Sequence, residues 1–284
     1  MTHLVRVWHL RPALLGFVVV VLGTVLAGCG DKLPRPALID NLRIVAVQAE
    51  PPEAAAGTTV ALSSLVLQPD ASAAVERVWA ACVVEPGQSA AGCALPAPGQ
   101  LPPPCASEPE ASFCIIGSDA SASYVLPELA LRGRPAGAPG QVVVTLVAAA
   151  SAEGGVAACT AGLEDPARLP ESCRAAVKRV KVLPAGVAAA NTNPGIASFS
   201  REGDLLSVAL AEGAIESTPG GAERLFLSWY VSAGELDKFR TDAVEAGMSN
   251  PWTPPAAAGT YQAAVVVRDG RGGESWRTLE LTVP

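Results

Sequence analysis

Residues 261–283 read YQAAVVVRDGRGGESWRTLELTV, and this stretch decides the fold. The run at 261–268 is apolar and β-branched, while residues 276–283 alternate between apolar and polar. Alternation with a period of two residues is typical of a strand that buries one face. The intervening residues 269–273 supply glycines, which tolerate the positive φ of a tight turn. The stretch therefore predicts a β-hairpin.

The same signals recur along the 284 residues as short apolar runs separated by turn residues. Glycine (27) and proline (25) are both frequent, which favours many short strands over long helices. We predict strands at 42–47, 58–67, 75–84, 113–116, 124–126, 141–149, 177–183, 204–210, 223–231, 259–268 and 274–283. Loops are predicted at 85–109, 153–174 and 241–247.

Short motifs around these strands resemble bacterial immunoglobulin-like and PKD-like domains. In such domains a Trp-x-Pro-Pro stretch and an Ala-Gly-x-Tyr stretch lead into a strand that ends in an Asp-Gly turn. The matching residues are Pro51-Pro52 with Gly57, Ser228-Trp229-Tyr230, Trp252-Thr253-Pro254-Pro255, Ala258-Gly259-Thr260-Tyr261 and Arg268-Asp269-Gly270. The resemblance and the strand pattern imply an all-β chain with two tandem immunoglobulin-like β-sandwich domains after an N-terminal lipoprotein signal peptide.

We expect five segments along the chain. They are a signal peptide (1–28), a lipidated tether (29–37), a Cys-containing immunoglobulin-like β-sandwich (38–184), a linker (185–193) and an immunoglobulin/PKD-like β-sandwich (194–284). Pro34 and Pro36 favour an extended conformation for the tether.

The beginning of the chain has the layout of an export signal. Arg6 and Arg11 precede an uncharged apolar run at 13–27, and small residues then lead to Cys29. A membrane-spanning helix needs about 20 apolar residues, which is more than this run offers. The pattern therefore favours a signal peptide over a transmembrane helix.

Residues 26–29, Leu-Ala-Gly-Cys, resemble the bacterial lipobox. The resemblance implies that the Cys29 thiol receives a diacylglyceryl group and that the new amine after cleavage takes a further acyl chain, such as palmitate. Several acyl chains hold a protein stably at a bilayer. Gly30 rather than Asp follows Cys29, which favours the outer membrane. We expect a lipid-anchored cell-envelope protein; an ordinary cleavage site beside a chance cysteine is the alternative.

With Cys29 acylated, an even number of cysteines remains, which favours disulfides in an exported chain. These candidates are Cys82, Cys93, Cys105, Cys114, Cys159 and Cys173. Many pairings are open, and the pairs 82–93, 105–114 and 159–173 are favoured because each closes a short loop. Zinc is disfavoured because no Cys-x-x-Cys occurs. No metal site and no cofactor is predicted.

Several function classes are disfavoured by composition. Both histidines, His3 and His9, lie in the predicted signal peptide, which removes histidine-dependent catalysis from the mature chain. The formal net charge is −7, and no run of Lys or Arg follows the signal segment, which argues against nucleic acid. No phosphate-binding or nucleophile-elbow motif is visible. We therefore predict that the chain is not an enzyme.

Two chemical alternatives stay open. One is hydrolysis by a carboxylate pair drawn from Glu235, Asp237, Asp242 and Glu245, which need no histidine. Their alternation with Lys238 and Arg240 favours a solvated charged loop instead. The other is a calcium site using Glu164, Asp165 or Asp269. Asp269 is better explained by its place in the turn.

The favoured function is a non-enzymatic, membrane-anchored envelope lipoprotein that acts as a structural spacer or protein-binding module. Its expected partners are the lipid bilayer, through Cys29, and envelope proteins or glycans. The alternative is a carbohydrate-binding or adhesive surface module in which exposed Trp252 and Trp276 stack on sugars. A core or sheet-edge position is favoured over this platform for Trp229, Trp252 and Trp276.

Overall fold

The computed structural model describes residues 35–88, 102–164, 169–218, 221–243 and 247–284. The segment from Pro36 to Pro284 forms one compact unit, built from two β-rich lobes. The predicted signal peptide, Cys29, Cys93, Asp165 and Glu245 lie outside the described residues. The predicted all-β fold class is confirmed for the part of the chain that is described, where each lobe is a β-sandwich.

The described part of the first lobe contains eight strands in two facing sheets. They are β1 (Arg43–Glu50), β2 (Glu53–Ala55), β3 (Thr59–Leu67), β4 (Val75–Val83), β5 (Phe113–Gly117), β6 (Ser121–Val125), β7 (Gly140–Ala150) and β8 (Arg174–Leu183). One sheet has the order β1-β3-β6 and the other β2-β8-β7-β4-β5. Neighbouring strands are antiparallel except for β2 and β8, which are parallel.

The inner faces of these sheets enclose the first core. Alternate residues of β4, β7 and β8 point inward, and Trp79 is the largest side chain among them, with no exposed surface. The Trp79 indole N–H donates to the carbonyl of Asp119 at 2.9 Å, so its one polar atom is satisfied. Burial of apolar side chains such as Trp79 in this core is the main source of stability in a sandwich of this size.

A helix interrupts the region between β7 and β8. We predicted a loop over 153–174, but α1 spans Gly155–Glu164. Gly154 and Gly155 both have positive φ, which lets the chain turn sharply out of β7 into the helix. Helix formation here was missed because the segment is rich in Ala and Gly and has no clear apolar stripe.

The second lobe is also a pair of facing sheets. Its strands are β9 (Ile196–Glu202), β10 (Leu205–Leu210), β11 (Ser217–Thr218), β12 (Gly221–Ala222), β13 (Leu225–Val231), β14 (Glu235–Leu236), β15 (Arg240–Ala243), β16 (Gly247–Thr253), β17 (Gly259–Arg268) and β18 (Glu274–Val283). The sheets have the orders β14-β16-β10-β9 and β15-β13-β17-β18, and β11 pairs with β12 as a separate ribbon. The predicted loop at 241–247 is wrong in part, because β15 and β16 occupy its two ends.

The opening hairpin is β17 with β18, antiparallel from Gly259↔Val283 to Arg268↔Glu274. Asp269 organises the turn: its Oδ1 accepts hydrogen bonds from the backbone N–H groups of Arg271, Gly272 and Gly273 at 2.6–2.9 Å. The carboxylate is thereby committed to the turn, as expected, and this explains why Asp269 is buried although acidic.

The lobes meet along a third apolar cluster. The outer face of β13 and β17 contributes Tyr230, Ala264 and Val266, and the facing strands β1 and β3 contribute Val45 and Leu65. Residues 263–267 are therefore buried on both faces of their sheet. This accounts for the unbroken apolar run AAVVV at 263–267, because a strand with one solvent-exposed face would alternate apolar and polar residues.

Two further segments join the lobes. The backbone N–H of Ile39 donates to the carbonyl of Val231 at 2.8 Å, and the N–H of Val231 donates to Ala37 at 2.9 Å. Between β8 and β9, the Asn193 side chain donates to the carbonyl of Ala49 and accepts from the N–H of Glu274, each at 2.9 Å. The segment before β1 is thus bonded to the second lobe, and the segment between β8 and β9 is bonded to both lobes.

Candidate functional site

A cleft of about 570 Å³ opens where the lobes meet, beside the first residues of the compact unit. Its volume lies in the range of small-ligand sites. Among the residues that the structure describes, four arginines line it together with aromatic, small and polar residues, and no acidic residue does. The lining residues are Pro36, Asn41, Arg43, Ile44, Val45, Arg174, Ala175, Ser228, Tyr230, Phe239, Arg240 and Arg268.

The arginines converge because each stands at the end of a strand. Arg43 begins β1 and Arg174 begins β8, both in the first lobe. Arg240 begins β15 and Arg268 ends β17, both in the second lobe. Arg240 is the direct cross-strand partner of Ser228, so the two side chains share the outer face of that sheet.

Two of the arginines are fixed by the protein. Arg43 donates to the carbonyl of Pro36 at 2.9 Å and to Asp40 Oδ1 at 3.0 Å. Arg268 donates through Nε to Glu274 Oε2 at 3.0 Å and through its other nitrogens to Val45 and Ser228. These guanidinium groups shape the cleft but have their donors largely occupied.

The other two arginines keep unused donors. The Arg174 side chain donates only through Nη1, to the carbonyls of Glu171 and Cys173. The Arg240 side chain makes no hydrogen bond to the described residues. Within those residues neither guanidinium has an ion-pair partner. Arg240 instead lies with its Cζ 5.9 Å from the ring centroid of Phe239. Arg174 is half-buried and Arg240 is exposed. Guanidinium groups with unused donors bind planar or tetrahedral oxyanions through parallel N–H bonds.

Glu274 holds Arg268, one of the arginines that line the cleft, in place. Its Oε1 accepts from Lys178 Nζ at 2.9 Å and from the backbone N–H of Val47 at 3.3 Å, and its Oε2 accepts from Arg268. Its carbonyl oxygen accepts from Gln48 at 2.8 Å. With this many donors the hydrogen-bonding capacity of the buried Glu274 carboxylate is satisfied. Glu274 therefore links the two lobes in a fixed geometry.

The predicted disulfides are found where their cysteines are described. Cys105 bonds to Cys114, with Cα atoms 4.9 Å apart, and Cys159 bonds to Cys173, with Cα atoms 5.6 Å apart. They match two of the three favoured pairs. The third pair, 82–93, includes Cys93, which lies outside the described residues and so stays a prediction.

The predicted aromatic sugar platform is not formed. Trp252 is 1% exposed and packs in the second core, and its indole N–H donates to the carbonyl of Ala233 at 3.0 Å. Trp252 therefore lies in a core, the placement favoured from sequence, and the alternative that needs it exposed is wrong, because inward-facing residues of β16 complete this core. Trp276 is half-buried against the apolar cluster between the lobes. Trp229 lies in the second core, as predicted.

The acidic candidates do not assemble into a site among the residues described. Glu235 is on β14 and Asp242 on β15, which belong to opposite sheets, and Asp242 forms an ion pair with Arg224. Across the described ranges, no group of three or more His, Cys, Asp or Glu side chains is placed to hold a metal ion. Of the calcium candidates, Asp269 already accepts the N–H groups of its own turn.

Sequence reasoning missed the cleft. Arg43, Arg174, Arg240 and Arg268 are far apart along the chain, so no basic run marks them. The only local signal is that each borders an apolar strand, and many solvent-exposed arginines share that property.

The described residues also contain no helix with the length and apolarity that a membrane crossing needs.

Comparisons with known proteins give structural matches alone. No protein-family model and no curated protein matches the chain. Among solved structures, the D00-D0 domain of intimin aligns with a TM-score of 0.24 at 8% identity, over 86% of this chain and 99% of that one. Fibronectin(III)-like modules of Clostridium thermocellum CbhA align with a TM-score of 0.23 at 13% identity, over 85% and 93%. The adhesin InvE of Yersinia pseudotuberculosis aligns with a TM-score of 0.22 at 11% identity, over 86% and 60%. Matches at this level carry no functional argument.

Proposed function

We propose that this chain is a non-enzymatic, lipid-anchored protein of the cell envelope, held at the outer membrane through acylated Cys29. Its two sandwich lobes would act as one stiff body, serving as a spacer or as a binding module. The anchor is supported by the lipobox-like residues 26–29, and the observation that carries the stiff body is the bonding of the Ala37–Ile39 backbone to Val231 of the second lobe, just before the chain enters β1 of the first. A pull on the tether is thereby shared by both lobes.

Burial at the interface supports stiffness over a flexible string of domains. The apolar cluster between the lobes and the Lys178–Glu274 ion pair are both largely removed from water. Interfaces of this kind limit the relative motion that loosely joined domains show. A stiff body would hold a binding surface at a set distance from the bilayer.

A sugar-binding function has no comparable support. It required exposed Trp252 and Trp276, and neither ring is free. We do not propose it.

Cys29→Ser tests the anchor directly. In the wild-type protein we expect an acylated N-terminal Cys29 by intact mass and recovery in the membrane fraction after high-salt washing. Cys29→Ser should stay unprocessed and lose the acyl mass. Gly30→Ser is the matched control and should behave as wild type. Unchanged size and fractionation of Cys29→Ser would overturn the proposal.

A further inference from the structure

We propose that the arginine-lined cleft binds a phosphoryl group, carried either by an anionic lipid headgroup or by a soluble phosphate compound. The choice of phosphoryl rests on the proposed function, because a chain tethered to a bilayer faces a dense layer of phosphate groups. The site itself rests on the placement of Arg174 and Arg240.

The cleft is positively charged, whereas the chain as a whole has a negative net charge. The full sequence has 27 acidic and 20 Lys or Arg side chains, yet the described residues that line the cleft include four arginines and no carboxylate. Asp40 balances Arg43, and Glu274 is shared between Arg268 and Lys178. Arg174 and Arg240 are therefore left as uncompensated positive charges within the described structure. Such a local reversal of sign concentrates anions at one point of an otherwise acidic surface.

The available donors lie on opposite walls. Arg174 belongs to the first lobe and Arg240 to the second, and both retain N–H groups without acceptors among the described residues. A carboxylate offers two oxygens and is matched by a single guanidinium fork. A phosphoryl group offers more oxygens and up to two charges, so it can engage an arginine from each wall. This geometry favours phosphoryl over carboxylate.

The cleft is built before any ligand arrives. Arg268 is held by three acceptors, and Glu274, which accepts from it, is fixed in turn by Lys178 and Val47. Fixed walls reduce the ordering that binding would otherwise require. On binding, only the side chains of Arg174 and Arg240 need to change conformation to contact the ligand.

The cleft also lies close to the predicted anchor along the chain. Pro36 is part of its lining and lies seven positions after Cys29 in the sequence. Seven extended residues span at most about 25 Å. With Cys29 in the bilayer, the cleft would stay within that reach of the headgroups.

Calorimetric titration of the full-length lipidated protein in a neutral detergent tests the inference. The probes are inorganic pyrophosphate, the short-chain lipid dihexanoyl phosphatidic acid and, as a dicarboxylate, succinate. We expect saturable binding of a phosphoryl probe and affinity lower by about tenfold in Arg174→Gln and in Arg240→Gln. Arg179→Gln is the control, because it removes the same charge from the solvent-facing side of β8. Thermal unfolding of each variant verifies that the fold is kept.

The outcomes separate the sources. Binding of one or both phosphoryl probes, with affinity lost in the two cleft variants, supports the site. Tighter binding of the short-chain lipid indicates a lipid headgroup as the source of the phosphoryl group, and tighter binding of pyrophosphate indicates a soluble phosphate compound. Equal binding of succinate, equal loss in Arg179→Gln, or no saturable binding of any probe overturns it. Fractionation of Cys29→Ser does not involve these arginines, so failure of the anchor and failure of the cleft are distinguished.

Discussion

The Nζ atom of Lys178 lies 2.9 Å from Oε1 of Glu274, and the two residues belong to different lobes. Both are almost fully buried, at 6% and 7% exposure. Removing two charges from water is unfavourable unless each is well paired. Here the pair is completed by Arg268 and by the N–H of Val47. The lobes are thus fastened by a buried charge network in addition to apolar contact.

Glu274→Gln should weaken this fastening strongly. It leaves the Lys178 ammonium buried without an opposite charge, which costs about 3–5 kcal/mol in other proteins. We expect the free energy of unfolding, measured by urea denaturation, to fall by about 3 kcal/mol. The control is Arg224→Gln, which breaks an ion pair whose side chains are 65% and 46% exposed. That change should cost at most about 1 kcal/mol. Equal effects of the two substitutions would contradict the network.

Stability should also fall in acid through Glu53. Burial alone would raise the pKa of this carboxyl, but hydrogen bonds from Lys181 and from the backbone N–H groups of Ala190 and Asn191, with the Lys181 charge, outweigh burial and lower it below 4.5. A lowered folded-state pKa contributes stability that is present above the unfolded value and is lost as the pH falls through the folded value. We therefore expect the free energy of unfolding to decrease as the pH falls below 4.5.

Glu53→Gln should flatten that dependence. A neutral amide cannot take up the proton that the unfolded carboxylate binds, so this contribution to the slope disappears. The measurement is urea denaturation between about pH 6 and pH 3, around the ordinary carboxyl range. Glu128→Gln, at an exposed carboxylate, is the matched control and should keep the wild-type slope. A Glu53→Gln slope equal to wild type would show that Glu53 is not the group responsible.

The disulfide between Cys105 and Cys114 should stabilise the first lobe. It closes a loop with a sequence separation of 9, and both cysteines are buried in the first core. Replacing both with Ser should lower the free energy of unfolding by about 3 kcal/mol, from the entropy of the open chain. The Cys159→Ser/Cys173→Ser double variant provides the comparison for a bridge outside that core. No change in stability in either variant would refute the role of the bridges.

Strand positions were predictable because local pattern and packing agree. The hairpin of β17 and β18 was placed correctly from alternation and glycine spacing alone. Short strands such as β2 and β14 were missed, because two or three residues carry no period, and the longer strands β9 and β16 were missed as well. The pairing of β2 and β14 is decided by a neighbouring strand that is distant in sequence.

The cleft was not predictable for the same reason. Arg174 and Arg240 are brought to it by lobe packing, and that packing depends on outer-face residues such as Tyr230. Apolar composition indicates that a face is buried but not what covers it. The segment between β8 and β9 shows this too: its composition predicted a linker, and its bonds through Asn193 could not be foreseen.

Gly273 provides a sharp test of the turn that joins β17 to β18. A Cβ atom at this position would lie 2.6 Å from the carbonyl oxygen of Thr192 and would also press on the Asp269 carboxylate. Because the obstacle at Thr192 is backbone, it cannot rotate away, so Gly273→Ala must displace the segment that leads into β9. We expect a loss of about 2 kcal/mol in the free energy of unfolding, typical of overpacking. Gly117→Ala, in β5, meets nothing within 4 Å and is the control, with a change of at most about 0.5 kcal/mol. If Gly273→Ala proved as harmless as Gly117→Ala in urea denaturation, the close approach of the turn to Thr192 would be excluded.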